Sequence, residues 1–175
     1  MLGRMAPSEP APPAPTLISG FQGDVRKTWP REARDLTPWV REHLPELAGQ
    51  LGLQLEFVGQ EVAVGDFLAD IEARDEQGRK VLIENQFGPT DHLHLGQIVL
   101  YACEARADIV VWVAAGTKWF RRAPIRPEHR RALTVLNERF AGVTRFYGVQ
   151  LVVSSEPRPI SEPRGPMIPR FTRVV

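Results

Sequence analysis

The chain has 175 residues, of which 43% are hydrophobic and 25% are charged, and its formal net charge is +1, as is ordinary for one soluble globular domain. Its single cysteine, Cys103, excludes an intrachain disulfide framework and fits a reducing compartment. No apolar run approaches the length of a bilayer span, and the amino-terminal segment lacks the charged-then-apolar order of a secretion signal, so we expect a cytoplasmic protein with no membrane partner.

Charge is distributed unevenly along the chain. Between Glu61 and Asp91 there are eight acidic residues against three basic ones, whereas between Lys118 and Arg131 there are six basic residues against one acidic residue. An acidic site that holds a cation, beside a basic segment that holds a nucleic-acid backbone, would give this pattern. Two solvated faces would give it as well, so the asymmetry alone does not identify a function.

The amino-terminal part of the chain is predicted to be a mostly extended tail over residues 1–35, with a Pro/Ala-rich tract that suits neither a helix nor a sheet. Regular structure is predicted to begin at Leu36, because Thr37 can cap a helix whose apolar residues recur at helical spacing as far as Leu51. Pro45 should kink or restart this helix, since it lacks the amide hydrogen that an interior turn uses.

A strand is predicted over residues 53–64, followed by a hairpin over residues 66–87 in which apolar and polar residues alternate with period two. The loop at residues 76–78 suits a three-residue turn, because its third residue is a glycine, which readily adopts the left-handed conformation needed there. The residues that flank the loop would then pair. This register places Asp70 opposite Glu84.

The rest of the chain is predicted to alternate helices with strands. The predicted elements are a helix from Thr90 or Asp91 to about Ala105, a buried strand at residues 108–114, a helix at residues 127–140, a strand at residues 144–153 and a short edge strand at residues 170–175. Together they give an α/β fold with a mixed central sheet flanked by helices. We expect one domain over residues 36–153 and a Pro-rich carboxyl-terminal extension over residues 154–175.

Two acids placed directly opposite each other across a hairpin repel each other, and a cation between them would remove the repulsion. Hard divalent cations such as Mg²⁺ bind a few carboxylates and fill their remaining positions with water and phosphate oxygens. The pattern therefore favours a metal site at Asp70 and Glu84. The alternative is that both acids are solvent-facing residues of an amphipathic hairpin.

The order αβββαβ, with an aspartate on the second strand and Glu-x-Gln on the third, resembles the PD-(D/E)xK nucleases of restriction and DNA-repair enzymes. Ala69-Asp70 stands where that family has Pro-Asp, and the run from Glu84 to Gln86 stands where it has (D/E)-x-K. Gln97 and Tyr101 are similar to the Q-x-x-x-Y motif of the RecB-like branch. The I-E-N-Q and T-D-H-x-H-L-G-Q segments resemble a group of bacterial nuclease-like proteins.

The resemblance implies a restriction-endonuclease-like fold and a DNA nuclease that depends on Mg²⁺ or Mn²⁺. Nucleases of this kind often pair as homodimers to cut both strands. It implies Asp70, Glu84 and Gln86 as catalytic residues, and Asp70 and Glu84 as metal ligands, with Glu61, or else Glu46, as a further ligand. Gln86 replaces the family's lysine, and its neutral amide can at most orient the attacking water. The residues expected to contact nucleic acid are His94, Gln97, Tyr101, Arg121 and Arg122.

Two other functions fit the same sequence. One is a nucleic-acid-binding module that keeps the fold and has lost catalysis through Gln86, and the other is a protein-interaction subunit of a larger complex. His94, Gln97 and Tyr101 form one stripe of the second predicted helix. The stripe could face the hairpin and contact phosphate or orient Glu84, or it could simply rim the helix interface. A zinc pair at His92 and His94 is disfavoured, because residues two apart point to different sides of a helix.

Overall fold

A computed structural model describes residues 17–18, 23–116, 123–156, 158–159, 163 and 166–175 of the chain. Its strands are β1 (Leu17–Ile18), β2 (Leu55–Val64), β3 (Phe67–Asp75), β4 (Lys80–Phe87), β5 (Ile109–Ala115), β6 (Arg145–Ser154), β7 (Arg158–Pro159) and β8 (Ile168–Arg173). Its helices are α1 (Val25–Thr28), a π-helix (Glu32–Leu36), α2 (Thr37–Glu42), α3 (Leu44–Leu51), α4 (His92–Cys103) and α5 (Pro127–Arg139).

Six of the strands form one mixed sheet in the order β2-β3-β4-β5-β6-β8, and β1 pairs with β7 in a separate two-stranded sheet. Strands β4, β5 and β6 run parallel, whereas the other neighbours in the large sheet are antiparallel. Helix α4 makes the crossover between the parallel strands β4 and β5. The predicted α/β class, the αβββαβ order and the flanking helices are confirmed.

The centre of the sheet is strand β5, in which all seven residues are buried. This agrees with its continuously apolar sequence, because a parallel strand covered on both faces has no solvent side. At the far edge, β8 pairs antiparallel with β6 and confirms the short edge strand predicted near the carboxyl terminus. Among the described residues, no helix is long and apolar enough to cross a membrane.

The hairpin of β3 and β4 has the predicted register. The pairs run from Arg74 opposite Lys80 to Ile71 opposite Ile83, and Gly78 in the loop has a φ of 74°. The paired region ends at Ile71, so Asp70 and Glu84 are not part of the ladder. The two strands therefore separate at the position where sequence analysis places the carboxylates.

Two layers of side chains cover the sheet. One cluster packs the first helices against one face and contains Ile71 and Ile83, and the other packs α4 and α5 against the opposite face and contains Ala69 and Leu82. Ala69 and Ile71 would share a face in a regular strand. Their assignment to different clusters shows that the side-chain alternation of β3 breaks at Asp70, next to the end of the ladder.

The first helical segment begins earlier than predicted. The π-helix runs directly into α2, so Thr37 is a helical residue and not an amino-terminal cap, and its hydroxyl is used elsewhere. The helix then breaks at His43 and restarts as α3 with Pro45 in its first turn, as predicted.

The structure of residues 23–35 contradicts the prediction that the tail extends to residue 35. Val25 in α1 is fully buried and Trp29 is 3% exposed, and both belong to the core cluster that contains Ile71. The rings of Trp29 and Trp39 lie 4.8 Å apart between centroids. Most of residues 1–22 lie outside the described part of the chain, so the rest of the predicted tail stays a prediction.

Candidate active site

The candidate site lies where β3 and β4 separate. Asp70 Oδ2 accepts a hydrogen bond of 2.7 Å from the main-chain N–H of Asn85, so a side chain takes up an amide hydrogen just beyond the end of the ladder. Thr37 Oγ1 donates to Asp70 Oδ1 over 3.5 Å, which is a weak contact. The tight bond orients the Asp70 carboxylate and leaves its Oδ1 loosely engaged.

Glu84 follows the same pattern on the other side of the gap. The Tyr101 hydroxyl on α4 donates to Glu84 Oε2 over 2.8 Å and also lies 3.1 Å from the main-chain oxygen of Leu68. The other carboxylate oxygen, Oε1, is 3.9 Å from Nε2 of His94. One oxygen of Glu84 is therefore fixed by a strong hydrogen bond, and the other is loosely held.

Both carboxylates are perturbed by their surroundings. Burial, followed by the negative charge of Asp70, raises the pKa of Glu84 to about 8 despite the hydrogen bond from Tyr101. Burial also raises the pKa of Asp70 to about 6, against the opposing hydrogen bond from Asn85, and the charge of Glu32 adds to the increase. The dependence of the Glu84 pKa on Asp70 shows that the two acids share one electrostatic site.

Glu32 was missed by sequence analysis. Its carboxylate accepts a short hydrogen bond from the main-chain N–H of Phe87, and its charge raises the pKa of both Asp70 and Glu84. The π-helix that carries Glu32 lies within the predicted tail and has no periodic pattern that would indicate folding. The nearby Trp29 was the signal that this stretch packs against the core.

The two predicted additional ligands are both exposed. Glu61 is exposed on β2, has a left-handed φ of 53°, and lies opposite Asp70 at a gap in the β2–β3 pairing. Glu46 is exposed on α3, where it lines a cavity with Trp39. Glu32 is a further acid whose charge acts on the site, and ligation of a metal by Glu61 or Glu46 stays a prediction.

Gln86 is held on both sides by the protein. Its Oε1 accepts a hydrogen bond of 3.1 Å from the indole of Trp112, and its Nε2 donates to the oxygen of Pro89 over 3.0 Å and to Asp91 Oδ2 over 2.7 Å. Both amide hydrogens are thus engaged. The predicted orientation of a water by Gln86 stays a prediction, and only the second lone pair of Oε1 is free for it.

Asp91 connects Gln86 to His94. It is the amino-terminal cap of α4, since its Oδ1 accepts the main-chain N–H of His94 over 3.0 Å, and the same oxygen lies 2.9 Å from His94 Nδ1. A carboxylate can only accept here, so Nδ1 carries the hydrogen of the neutral ring. His94 therefore presents the lone pair of Nε2 towards Glu84.

The other residues predicted to contact nucleic acid have different outcomes. Tyr101 is fully buried and its hydroxyl bonds to Glu84, so the predicted orientation of Glu84 is confirmed for this residue and direct contact with nucleic acid is not. Gln97 is half-buried on α4, and its contact with nucleic acid stays a prediction. Arg121 and Arg122 lie outside the described residues.

The donor set fits a hard divalent cation that keeps part of its water shell. Asp70 Oδ1 and Glu84 Oε1 are two loosely engaged carboxylate oxygens, and the buried Oδ1 of Asn85 has no hydrogen-bond partner among the described residues. Mg²⁺ needs only one or two protein carboxylates. In the described ranges, no three His, Cys, Asp or Glu side chains are grouped to hold a metal ion, so a fully protein-ligated site is not formed by these residues.

Comparison with known proteins gives distant structural similarity and no match by sequence. No known family matches the chain, and no curated protein matches it. A repair endonuclease from Pyrococcus abyssi is similar over 61% of this chain and 43% of that one, with 13% identity and a TM-score of 0.44. SfsA from Pyrococcus furiosus, solved with Ca²⁺, is similar over 68% of this chain and 58% of that one, with 13% identity and a TM-score of 0.38.

A third similar structure is a complex of EndoMS with double-stranded DNA. The similarity covers 63% of this chain and 43% of that one, with 15% identity and a TM-score of 0.37. The chain therefore spans less than two thirds of each of these three proteins.

Proposed function

We propose that this chain is a divalent-metal-dependent nuclease that hydrolyses phosphodiester bonds of DNA. The observation that carries the proposal is the carboxylate pair of the half-buried Asp70 and the buried Glu84, in which the charge of Asp70 raises the pKa of Glu84. Two acids that are removed from water and share one electrostatic site reduce the stability of the fold unless a cation or a proton compensates their charge. Such pairs with strongly shifted pKa values are typical of functional sites.

Asp70 and Glu84 would hold Mg²⁺ or Mn²⁺ through the oxygens that the protein leaves loosely bonded. The tight bonds from the Asn85 amide and the Tyr101 hydroxyl fix the orientation of the two carboxylates, as supporting hydrogen bonds commonly do in metal sites. When bound, the ion lowers the pKa of a water molecule and polarises a phosphoryl oxygen.

His94 would take the proton of the attacking water at Nε2. Asp91 fixes the tautomer of His94 by accepting from Nδ1, and Gln86 fixes Asp91 by donating to its other oxygen. A histidine held in this way can act as a general base near neutral pH. The amide that replaces the family's lysine would therefore serve as a positioning residue, two hydrogen bonds away from the proton acceptor.

DNA is proposed as the substrate on three grounds. The arrangement of Asp70, Glu84 and Gln86 on two strands resembles that of nucleases, and the similar EndoMS structure contains double-stranded DNA. Basic residues are also clustered near the start of α5, and two of them, Arg130 and Arg131, are exposed on this helix. Clustered arginines suit a phosphate backbone.

The proposal is tested by incubating plasmid and single-stranded DNA with the protein and Mn²⁺. Wild type should cleave, whereas Asp70→Asn and Glu84→Gln should not. Asp66→Asn is the matched control, because Asp66 is an exposed acid just before the same strand. Equal cleavage by wild type and both site variants would mean that a contaminant cuts the DNA and would refute the proposal.

A second candidate is a nucleic-acid-binding module without catalysis. The observation that favours it is Gln86, which stands at the lysine position and whose amide hydrogens are both engaged by the protein. Such a module would bind DNA equally well with and without Mn²⁺, and Asp70→Asn would leave its affinity unchanged. The nuclease proposal expects the affinity of wild type to increase with metal and that of Asp70→Asn not to respond.

A further inference from the structure

A chain of hydrogen bonds links the start of α5 to an exposed histidine on α4. His129 on α5 is 1% exposed, its Nδ1 lies 2.7 Å from Thr90 Oγ1, and its Nε2 lies 3.0 Å from Nδ1 of His92. The Thr90 hydroxyl also accepts the main-chain N–H of Arg126 over 3.1 Å. None of these groups takes part in the carboxylate site described above.

The direction in which these hydrogen bonds are donated follows from the buried hydroxyl of Thr90. Thr90 is fully buried, and the Arg126 amide can only donate to it, so the hydroxyl hydrogen is directed to His129 Nδ1. His129 then carries its hydrogen on Nε2 and donates it to His92 Nδ1. The reverse tautomers would leave the Thr90 hydrogen with no acceptor among these partners, which is costly for a buried group.

The neutral ring of His92 consequently carries its own hydrogen on Nε2. His92 is exposed, whereas His129 is fixed beneath it, with the His129 ring centroid 5.5 Å from that of Trp112. His92 and His94 are two residues apart on α4 and point to different sides of the helix. His92 directly follows Asp91, which is bonded to Gln86, so its Nε2–H lies near the carboxylate site but on another side of α4 from His94.

We propose that His92 binds a non-bridging phosphate oxygen of the substrate strand, at a phosphate that flanks the one held at Asp70 and Glu84. The proposal rests on the proposed function, because it takes the substrate to be DNA. His129 and Thr90 act as positioning residues that set the tautomer and orientation of His92. The charges that act on His129 are of both signs, from Arg126 and from the acids Glu128 and Asp91, so the Nε2–H donor of His92 is the feature that favours an anionic ligand here.

The tautomers can be measured in the free protein. Long-range ¹⁵N–¹H correlation spectra of the histidine rings should show the Nε2–H form for both His92 and His129. A spectrum with the hydrogen on Nδ1 of either ring would overturn the proposed direction of the chain. This readout requires neither metal nor DNA, so it does not depend on the proposed activity.

Contact with phosphate is tested by fluorescence anisotropy of a labelled DNA duplex, with Ca²⁺ in place of Mg²⁺. His92→Ala should weaken binding roughly tenfold or more, as expected for loss of a hydrogen bond to a charged acceptor. His92→Gln keeps an N–H donor and should recover most of the affinity. Leu93→Ala is the matched control, because Leu93 is the exposed neighbour on the same helical turn, and it should bind as wild type does.

Neutral methylphosphonate groups placed at single positions of the DNA identify the phosphate involved. At one position flanking the cleaved bond, the substitution should weaken the binding of wild type. It should not weaken the binding of His92→Ala any further, because that variant has already lost the same contact. If every position weakens both proteins equally, His92 does not contact phosphate and this proposal fails, although wild type still binds and cleaves. If wild type neither binds nor cleaves DNA, the proposed function fails together with it.

Discussion

Glu84 is a buried acid whose pKa of about 8 makes the stability of the metal-free protein depend on pH. Below pH 4.5, the ordinary pKa of a glutamate, Glu84 is protonated in both the folded and the unfolded protein, so it does not lower the stability of the fold. As pH rises from 4.5 towards 8, the unfolded form loses its proton first, so stability falls, by roughly 3–5 kcal/mol in total. Asp70, with a pKa of about 6, adds a smaller loss over a lower range.

Glu84→Gln should remove this pH-dependent loss while keeping an acceptor for the Tyr101 hydroxyl. In the presence of EDTA, the variant should be more stable than wild type at pH 8 and nearly equal to it at pH 4.5. Urea unfolding across this range measures the difference. Parallel pH profiles of stability for the two proteins would show that the pKa of Glu84 is not raised in the folded protein.

His94 gives a second prediction for a single residue. His94→Asn retains a polar side chain at the start of α4 and removes the nitrogen that faces Glu84. We expect kcat to fall about 100-fold or more, as is common for loss of a general base, with little change in KM. Steady-state cleavage of a labelled duplex separates the two constants. A rise in KM with unchanged kcat would indicate that His94 binds DNA instead.

At the scale of elements, the hairpin of β3 and β4 is the part that the sequence predicted best. Its register depends on local signals, namely the period-two alternation and the left-handed Gly78, and both act over a few residues. The end of the ladder at Ile71 could not be predicted in the same way. It depends on Thr37 and Asn85, which bond to Asp70 and to each other across the space between the sheet and α2.

The hairpin loop allows a direct test of backbone strain. Gly78 has a φ of 74°, and a Cβ added there would meet no atom within 4 Å, so Gly78→Ala should cost only the left-handed conformation, about 1 kcal/mol. Gly49 lies in helix α3, and a Cβ there also meets nothing, so Gly49→Ala should stabilise by about 0.5–1 kcal/mol. Thermal unfolding compares the two, and changes of the same sign would contradict the structure at one of them.

At the scale of the whole molecule, the residues that precede α2 are part of the fold. Trp29 and Val25 pack against side chains that are distant in sequence, and Glu32 reaches the main chain of Phe87 at the end of β4. No helical or strand periodicity marks this segment, because α1 spans only four residues and a π-helix follows it. Pattern analysis therefore missed a carboxylate of the site, since its position depends on tertiary contacts alone.

Trp29→Ala tests whether this segment stabilises the domain. Removal of a buried tryptophan should cost about 3–5 kcal/mol, because the transfer free energy is lost and a cavity is left. Urea unfolding measures the change in the free energy of unfolding. Val143→Ala is the control, because it removes an exposed side chain and should have little effect. A loss below about 0.5 kcal/mol for Trp29→Ala would mean that residues 23–35 form a tail after all.

Titration of the protein with Mn²⁺ in a calorimeter tests most directly whether Asp70 and Glu84 hold one cation together. Wild type and the control Asp66→Asn should bind with equal affinity, and Asp70→Asn and Glu84→Gln should each lose nearly all binding. The double variant should then be no weaker than either single variant, because both acids serve the same ion. Wild-type affinity in either single variant, or no binding by wild type, would contradict a shared cation site.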